Sequence, residues 1–158
     1  MFTKIKQEEN FFMSHLKDTH SFLEFGSGQS TFEIANKVKK IISIEHQKKW
    51  YDSLILESPE NCTLILKEPN LPYVEGGSCG TYDEFKDYIE SPIEYGPFDI
   101  ILIDGRARVS CSSICKLLSH ENTIIFIHDF HRPEYQEALK YLELIDSVET
   151  MSKFKLKK

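Results

Sequence analysis

The stretch Ser21-Phe22-Leu23-Glu24-Phe25-Gly26-Ser27-Gly28-Gln29-Ser30-Thr31 constrains the fold more than any other part of the chain. A short apolar run carrying one acid leads into a glycine turn, and the turn leads into a helix-forming segment. That order specifies a strand, a backbone-lined loop and a helix N-terminus, a junction that presents free N–H groups to a ligand. Glycines at 26 and 28 permit a tight turn and a close approach to the main chain.

The same unit recurs along the chain. Strands are expected at Lys40–Ile44, Cys62–Lys67, Phe98–Ile103 and Thr123–Ile127. The run Phe98-Asp99-Ile100-Ile101-Leu102-Ile103 suits a strand buried on both faces of a parallel sheet. Helices are expected at Thr3–Leu16, from Ser30 to about Val38, at His46–Glu57 and at Tyr82–Glu90. Two more are expected at Val109–Leu118 and from Pro133 to about Leu142. Ser30 and Glu33 have the spacing of a capping box. Glu143–Lys158 holds two extended runs split near Thr150-Met151-Ser152, the pattern of a terminal hairpin. Strand–helix alternation of this kind predicts an α/β chain: a three-layer αβα sandwich around a Rossmann-like, mostly parallel sheet with an antiparallel C-terminal strand hairpin. With 158 residues, one domain over 1–158 is expected.

Composition narrows the partners. A formal charge of −6 opposes general binding to nucleic acid or anionic membranes. Met1–Asn10 lacks the apolar core of a signal peptide and no apolar run reaches membrane-spanning length, so a cytoplasmic protein is expected. Cys62, Cys79, Cys111 and Cys115 include no CxxC pair, which reads as free thiols in a reducing compartment rather than a zinc site.

Ligands of such sheets bind beyond the carboxyl ends of the strands, where strand order reverses. All five expected parallel strands end beside a polar group: Glu24 with the glycine turn, Glu45, Glu68, Asp104, and His128-Asp129. The third glycine position of a dinucleotide fingerprint is occupied by Thr31. With Glu24 two residues before Gly26, this favours a cofactor without a pyrophosphate, since a carboxylate repels phosphates but orients an ammonium group, directly or through water. Glu45 follows Gly26 at about the interval of an acid that takes a ribose hydroxyl pair. His46 and Trp50 are placed to flank an adenine, or Trp50 is core.

Leu23-Glu24-Phe25-Gly26-Ser27-Gly28-Gln29-Ser30-Thr31 resembles motif I of class I S-adenosylmethionine-dependent methyltransferases, and Ile44-Glu45 resembles their ribose-binding acidic position. Ile103-Asp104-Gly105-Arg106 and Ile127-His128-Asp129-Phe130 resemble segments of small O-methyltransferases, including those acting on sugar hydroxyls. The resemblance implies S-adenosyl-L-methionine as cofactor and O-methylation of a small-molecule or carbohydrate hydroxyl. Glu24, Gly26 and Gly28 would then hold the methionine portion within the loop that Ser27, Ser30 and Thr31 complete. Glu45, next to His46, would hold the ribose, and Asp104 would lie between cofactor and acceptor. Some related enzymes bind a divalent metal through an Asp and an Asp-Asn pair at the last two of these strand ends. Phe130 stands in place of that Asn, so no metal ligand set is assigned.

Methyl transfer needs an aligned acceptor and removal of its proton. Candidate bases are His128, Asp129 and His131, with Asp129 acting as the base itself or as the group orienting a histidine. Arg106 and Arg108 either bind an anionic substrate group or pair with nearby acids. The segment from Pro69 to Pro97 is expected to shape the acceptor pocket, with Tyr73, Tyr82, Tyr88 and Tyr95 as stacking surfaces or small packing clusters. A catalytically inactive cofactor- or partner-binding protein of this fold is the alternative reading. A nicotinamide oxidoreductase is opposed by Thr31. A nucleic-acid methyltransferase is opposed by the lack of an N/D-P-P-Y/F motif.

Overall fold

Parallel strands buried on both faces need apolar residues at every position, and the central strands have them. In the computed structural model, which describes residues 5–76 and 79–158, Phe98–Ile103 forms the fourth strand of a seven-stranded sheet, and five of its six residues are buried. Around it lie β1 (Ser21–Phe25), β2 (Lys40–Glu45), β3 (Cys62–Leu66) and β5 (Ser119–His128), with β4 being Phe98–Ile103. The hairpin strands are β6 (Leu142–Val148) and β7 (Met151–Leu156). Their spatial order is β3-β2-β1-β4-β5-β7-β6. Strands β1 to β5 run parallel, and β7 is antiparallel to both β5 and β6. This is the predicted Rossmann-like sheet with its C-terminal antiparallel hairpin.

Side chains alternate across the sheet, so each strand feeds two cores. On one face Phe22, Ile41, Ile100, Leu102 and Phe126 pack with Phe12 from α1 (Lys6–Met13) and with Ile34 and Ala35 from α2 (Ser30–Ala35). Phe12 meets Phe22 and Phe126 edge-on, with ring centroids 6.0 and 5.0 Å apart. On the other face Leu23, Phe25, Ile101, Ile103 and Ile127 pack with Tyr88 and Ile89 of α4 (Lys86–Glu90) and Cys111 of α5 (Arg108–Ser113). The helix α3 (Lys48–Ile55) leans on β2 and β3. Among the described residues no helix is long and apolar enough to cross a membrane.

Several helices depart from expectation for local reasons. Ser30 is not the cap of α2. Gln29 occupies that position without a side-chain bond, and the Gly28 N–H is instead taken by Thr31 Oγ1 at 2.9 Å. The Val109–Leu118 helix breaks at Ile114 into α5 and α6 (Cys115–Leu118). Ser112 and Ser113 Oγ bond back to the carbonyls of Arg108 and Ser110, a competition that bends and ends helices. Pro133–Lys140 winds as a 3-10 helix, and Ser91–Tyr95 continues the chain of α4 in the same tighter form instead of ending it.

Register fixes where the chemistry lies. Phe25 is level with Ile44 and with Ile103, and Ile103 is level with Ile127. Four strands therefore finish on one line, and Gly26, Glu45, Asp104 and His128 follow it directly. The reversal of strand order falls between β1 and β4.

Candidate functional site

A cavity of about 700 Å³ opens over that line, and Gly26–Ser30 of the glycine loop forms one side of its floor. The loop begins on Gly26, whose φ of +96° suits glycine and whose N–H bonds Ile44 O at 2.9 Å. A Cβ there would stand 2.6 Å from Gly105 Cα and 2.7 Å from Gly105 N. Gly105 in turn admits no Cβ, which would overlap the buried Tyr88 hydroxyl and lie 2.9 Å from Gly26 Cα. The loops after β1 and β4 thus meet main chain to main chain under the cavity. Gly28 differs: its φ is not positive, and a Cβ would meet only Ser30 Oγ at 3.7 Å.

Glu45 governs the loop from β2. It is 3% exposed, and its Oε2 accepts from the Ser27 amide at 3.0 Å. Its Oε1 accepts from the amides of His46 and Gln47 at 3.0 and 2.7 Å. Backbone donors of this kind orient a carboxylate firmly. The indole of Trp50, half exposed on α3, donates to Ser27 O at 2.7 Å, so this ring forms a wall of the cavity and not part of a core.

Glu24 and Thr31 lie beneath the floor, outside the cavity lining. Glu24 Oε2 accepts from Thr31 Oγ1 and from Ser43 Oγ, both at 2.6 Å, and Ser43 Oγ lies 2.7 Å from Ser27 Oγ. Complete burial raises the Glu24 pKa from 4.5 to about 8 despite those two bonds. At neutral pH it is a neutral acid within a hydroxyl network, not the exposed carboxylate that would act against phosphates.

The far half of the cavity carries Asp104, Asp129, Arg108, Arg132 and Tyr135. Asp129 sits in left-handed backbone at φ 56°, a conformation Asp tolerates better than most residues, and its Oδ2 is 3.2 Å from Arg132. Arg108 is nearly buried and ties the two strand ends together. Its Nε donates to Gly105 O at 3.0 Å, Nη1 donates to His128 O, and it lies 3.5 Å from Asp104 and 3.8 Å from Asp129. Of the two expected roles for Arg108, pairing with local acids is the one the geometry contains. Arg106 likewise pairs with Glu75 at 2.6 Å. Glu75 also reaches His46 at 3.1 Å. Burial acts against charge on His46, but Glu45 and Glu75 outweigh it and raise its pKa above the ordinary value.

The loop residues Gly26, Ser27, Gly28 and Ser30 are thus brought together with Glu45, His46, Asp104 and Asp129 around one space. His128 stands behind that wall, bonded to Asp104, and His131 is exposed and outside the lining. None of Tyr73, Tyr82, Tyr88 and Tyr95 lines the cavity, and Tyr88 is fully buried; the ring surfaces there are His46, Trp50 and Tyr135. Gly105, Glu75 and Tyr135 also line the cavity, none of them a candidate site residue from the sequence. Gly105 had a signal, a glycine directly after a strand-ending acid, whereas Glu75 comes from an irregular segment with none. Among the described residues no group of three or more His, Cys, Asp or Glu is arranged to hold a metal ion. All four cysteines are free.

The fold is similar to that of solved methyltransferases. A methyltransferase-like protein from Silicibacter pomeroyi superposes with a TM-score of 0.70 at 18% identity, covering 98% of this chain and 87% of that one. The N-methyltransferase NodS from Bradyrhizobium japonicum gives 0.63 at 10% identity, covering 97% and 94%. A putative methyltransferase from Streptococcus mutans, solved in complex with SAH, gives 0.60 at 10% identity, covering 96% and 98%. At such identities the likeness is one of fold. Neither a family model nor a curated protein sequence matches the chain.

Proposed function

We propose that the protein is an S-adenosylmethionine-dependent methyltransferase acting on a hydroxyl of a small molecule or carbohydrate. The observation that carries this reading is Gly28. Nothing inside the fold requires a glycine there, yet the residue lines the cavity, where any side chain would occupy the space over the loop. A glycine without an internal reason marks the close approach of a ligand to main chain.

The surrounding residues fit that cofactor. Ser27, Gly28 and Ser30 line the part of the cavity that takes the amino-acid end, with the Ser27 and Gly28 amides held by Glu45 and Thr31. Glu45, held by three backbone amides, presents its remaining acceptor capacity to the ribose hydroxyls. His46 and Trp50 flank the adenine. Glu24 and Thr31 act from beneath, fixing the loop through Ser43 and Gly28. When bound, the sulfonium cofactor supplies an electrophilic methyl group.

The chain's own contribution is to align the acceptor oxygen and take its proton. Asp129, at the end of β5 and lining the cavity, is the candidate to accept that proton, with Arg132 and Arg108 beside it. Asp104 stands between the cofactor and acceptor halves. Two acids, two arginines and the Tyr135 ring suit a polar, hydroxyl-bearing acceptor. The neighbour from S. mutans, solved with SAH, supports the choice of cofactor.

Calorimetry with S-adenosylhomocysteine tests the cofactor, and Trp50, the single tryptophan, reports the same event by fluorescence. Micromolar binding that Gly28→Arg abolishes without unfolding the protein is expected. Release of S-adenosylhomocysteine across a panel of hydroxyl acceptors tests the reaction. Tight binding with no turnover on any acceptor would favour a non-catalytic binding protein, and binding of NAD instead would overturn the cofactor.

A further inference from the structure

The helix α1 carries an acid where an amphipathic surface helix has no use for one. Glu8 is 0% exposed, with Phe12 of the same helix anchored one turn further on between Phe22 and Phe126. A buried carboxylate is costly unless paired and hydrogen-bonded. Two of its partners come from the other end of the chain. Thr150 Oγ1, in the turn between β6 and β7, donates to Glu8 Oε1, and His128 Nε2 lies 3.4 Å from Glu8 Oε2. The opposite nitrogen, His128 Nδ1, lies 3.0 Å from Asp104 Oδ1 and 3.9 Å from Asp129 Oδ2.

We propose that Glu8 is a positioning residue of the active site, acting on Asp104 through the ring of His128. This rests on the reading of the cavity as a methyl-transfer site. Each ring nitrogen has a carboxylate before it: Nδ1 donates to Asp104, and Nε2 faces Glu8 Oε2, with Thr150 Oγ1 3.2 Å away. A ring donating from both nitrogens is an imidazolium, and that is the form assigned to His128.

The groups around the ring agree with that charge. Glu8 faces it from α1, Asp104 from the end of β4, Asp129 from the end of β5 and Thr150 from the hairpin turn. Arg108 of α5 meets the His128 carbonyl and the two aspartates, so each charge in the cluster has an opposite neighbour. Burial acts against the imidazolium, and the bond to Asp104 with the three carboxylates outweighs it, raising the pKa above the ordinary 6.5. A doubly protonated ring has no lone pair with which to deprotonate an acceptor. His128 is thereby removed from the candidate bases and becomes the link through which α1 holds Asp104 at the cavity wall.

The test is two-bond ¹H–¹⁵N NMR of the His128 ring in the full chain, from pH 5.5 to 9. The wild type is expected to show both nitrogens protonated at pH 7.5. Glu8→Gln keeps the shape and removes the charge, and should lower the titration midpoint by at least about one pH unit, a tenfold loss of proton affinity. Asp104→Asn should lower it from the other side. A neutral ring in the wild type, or an unmoved midpoint in Glu8→Gln, would overturn the proposal. If Glu8→Gln fails to fold, Thr150→Val decides. An imidazolium that survives loss of the hydroxyl supports Glu8 as its partner, and a midpoint that falls by a full unit assigns the role to Thr150 instead. Failure of S-adenosylhomocysteine to bind the wild type would defeat the functional reading alone, because the ring titration needs no cofactor.

Discussion

Replacing Glu24 by Gln should make the protein more stable, and increasingly so as pH rises. The folded protein holds this proton with a pKa of about 8, against 4.5 for the ordinary group. Because the folded value lies above the unfolded one, the native state binds the proton more tightly. Stability is therefore fullest below about pH 4.5, declines as pH climbs between the two values, and levels off above 8. Each pH unit within that window costs about 1.4 kcal/mol, so the whole decline is on the order of 5 kcal/mol. A Gln side chain keeps an oxygen to accept from Thr31 and Ser43, the two hydroxyls bonded at 2.6 Å, and has no proton to lose. Urea unfolding of both proteins at half-unit steps from pH 5 to 8.5 reads the difference directly, since every other titrating group is common to the two. At roughly 2 kcal/mol per molar urea, the midpoints should diverge by about 2 M across the range. A stability difference that stays constant from pH 5 to 8.5 would show that Glu24 is ionised in the fold and would refute the reasoning.

Two further substitutions separate folding from function. Gly26→Ala should destabilise by about 2–5 kcal/mol, combining a left-handed backbone penalty with overpacking against the Gly105 main chain, and a loss under 0.5 kcal/mol in chemical denaturation would contradict that contact. Asp129→Ala should leave S-adenosylhomocysteine affinity within about threefold of wild type, a change under 1 kcal/mol, while removing methyl transfer. Full turnover in that variant would move the proton acceptor elsewhere.

The sheet was legible because burial on two faces demands runs of apolar residues, and Phe98–Ile103 and Ser21–Phe25 show them without ambiguity. The residues that follow those runs were legible with them, since register alone sets Gly26, Glu45, Asp104 and His128 in a row. Helix detail was less accessible. The serines of α5 bond their own backbone, and whether they do so in place depends on packing that no local pattern encodes. The depth of Glu24 is not legible, because strand alternation does not say how far down a side chain lies once the loop folds over it. The burial of Glu8 is not legible, since His128 and Thr150, which it meets, belong to the other end of the chain. Glu75 is similar: only folding brings it to Arg106 and His46.

The contact between Gly26 and Gly105 has a further consequence. The glycine loop after β1 and the loop after β4 that carries Asp104 rest on each other's main chain, with no side chain between them to absorb a shift. Movement of either by a fraction of an ångström is passed to the other, as in a hinge with no washer. Variation in acceptor preference should therefore come from outlying positions such as Arg132 and Tyr135, which can change without displacing the cofactor, while the junction itself stays invariant in shape.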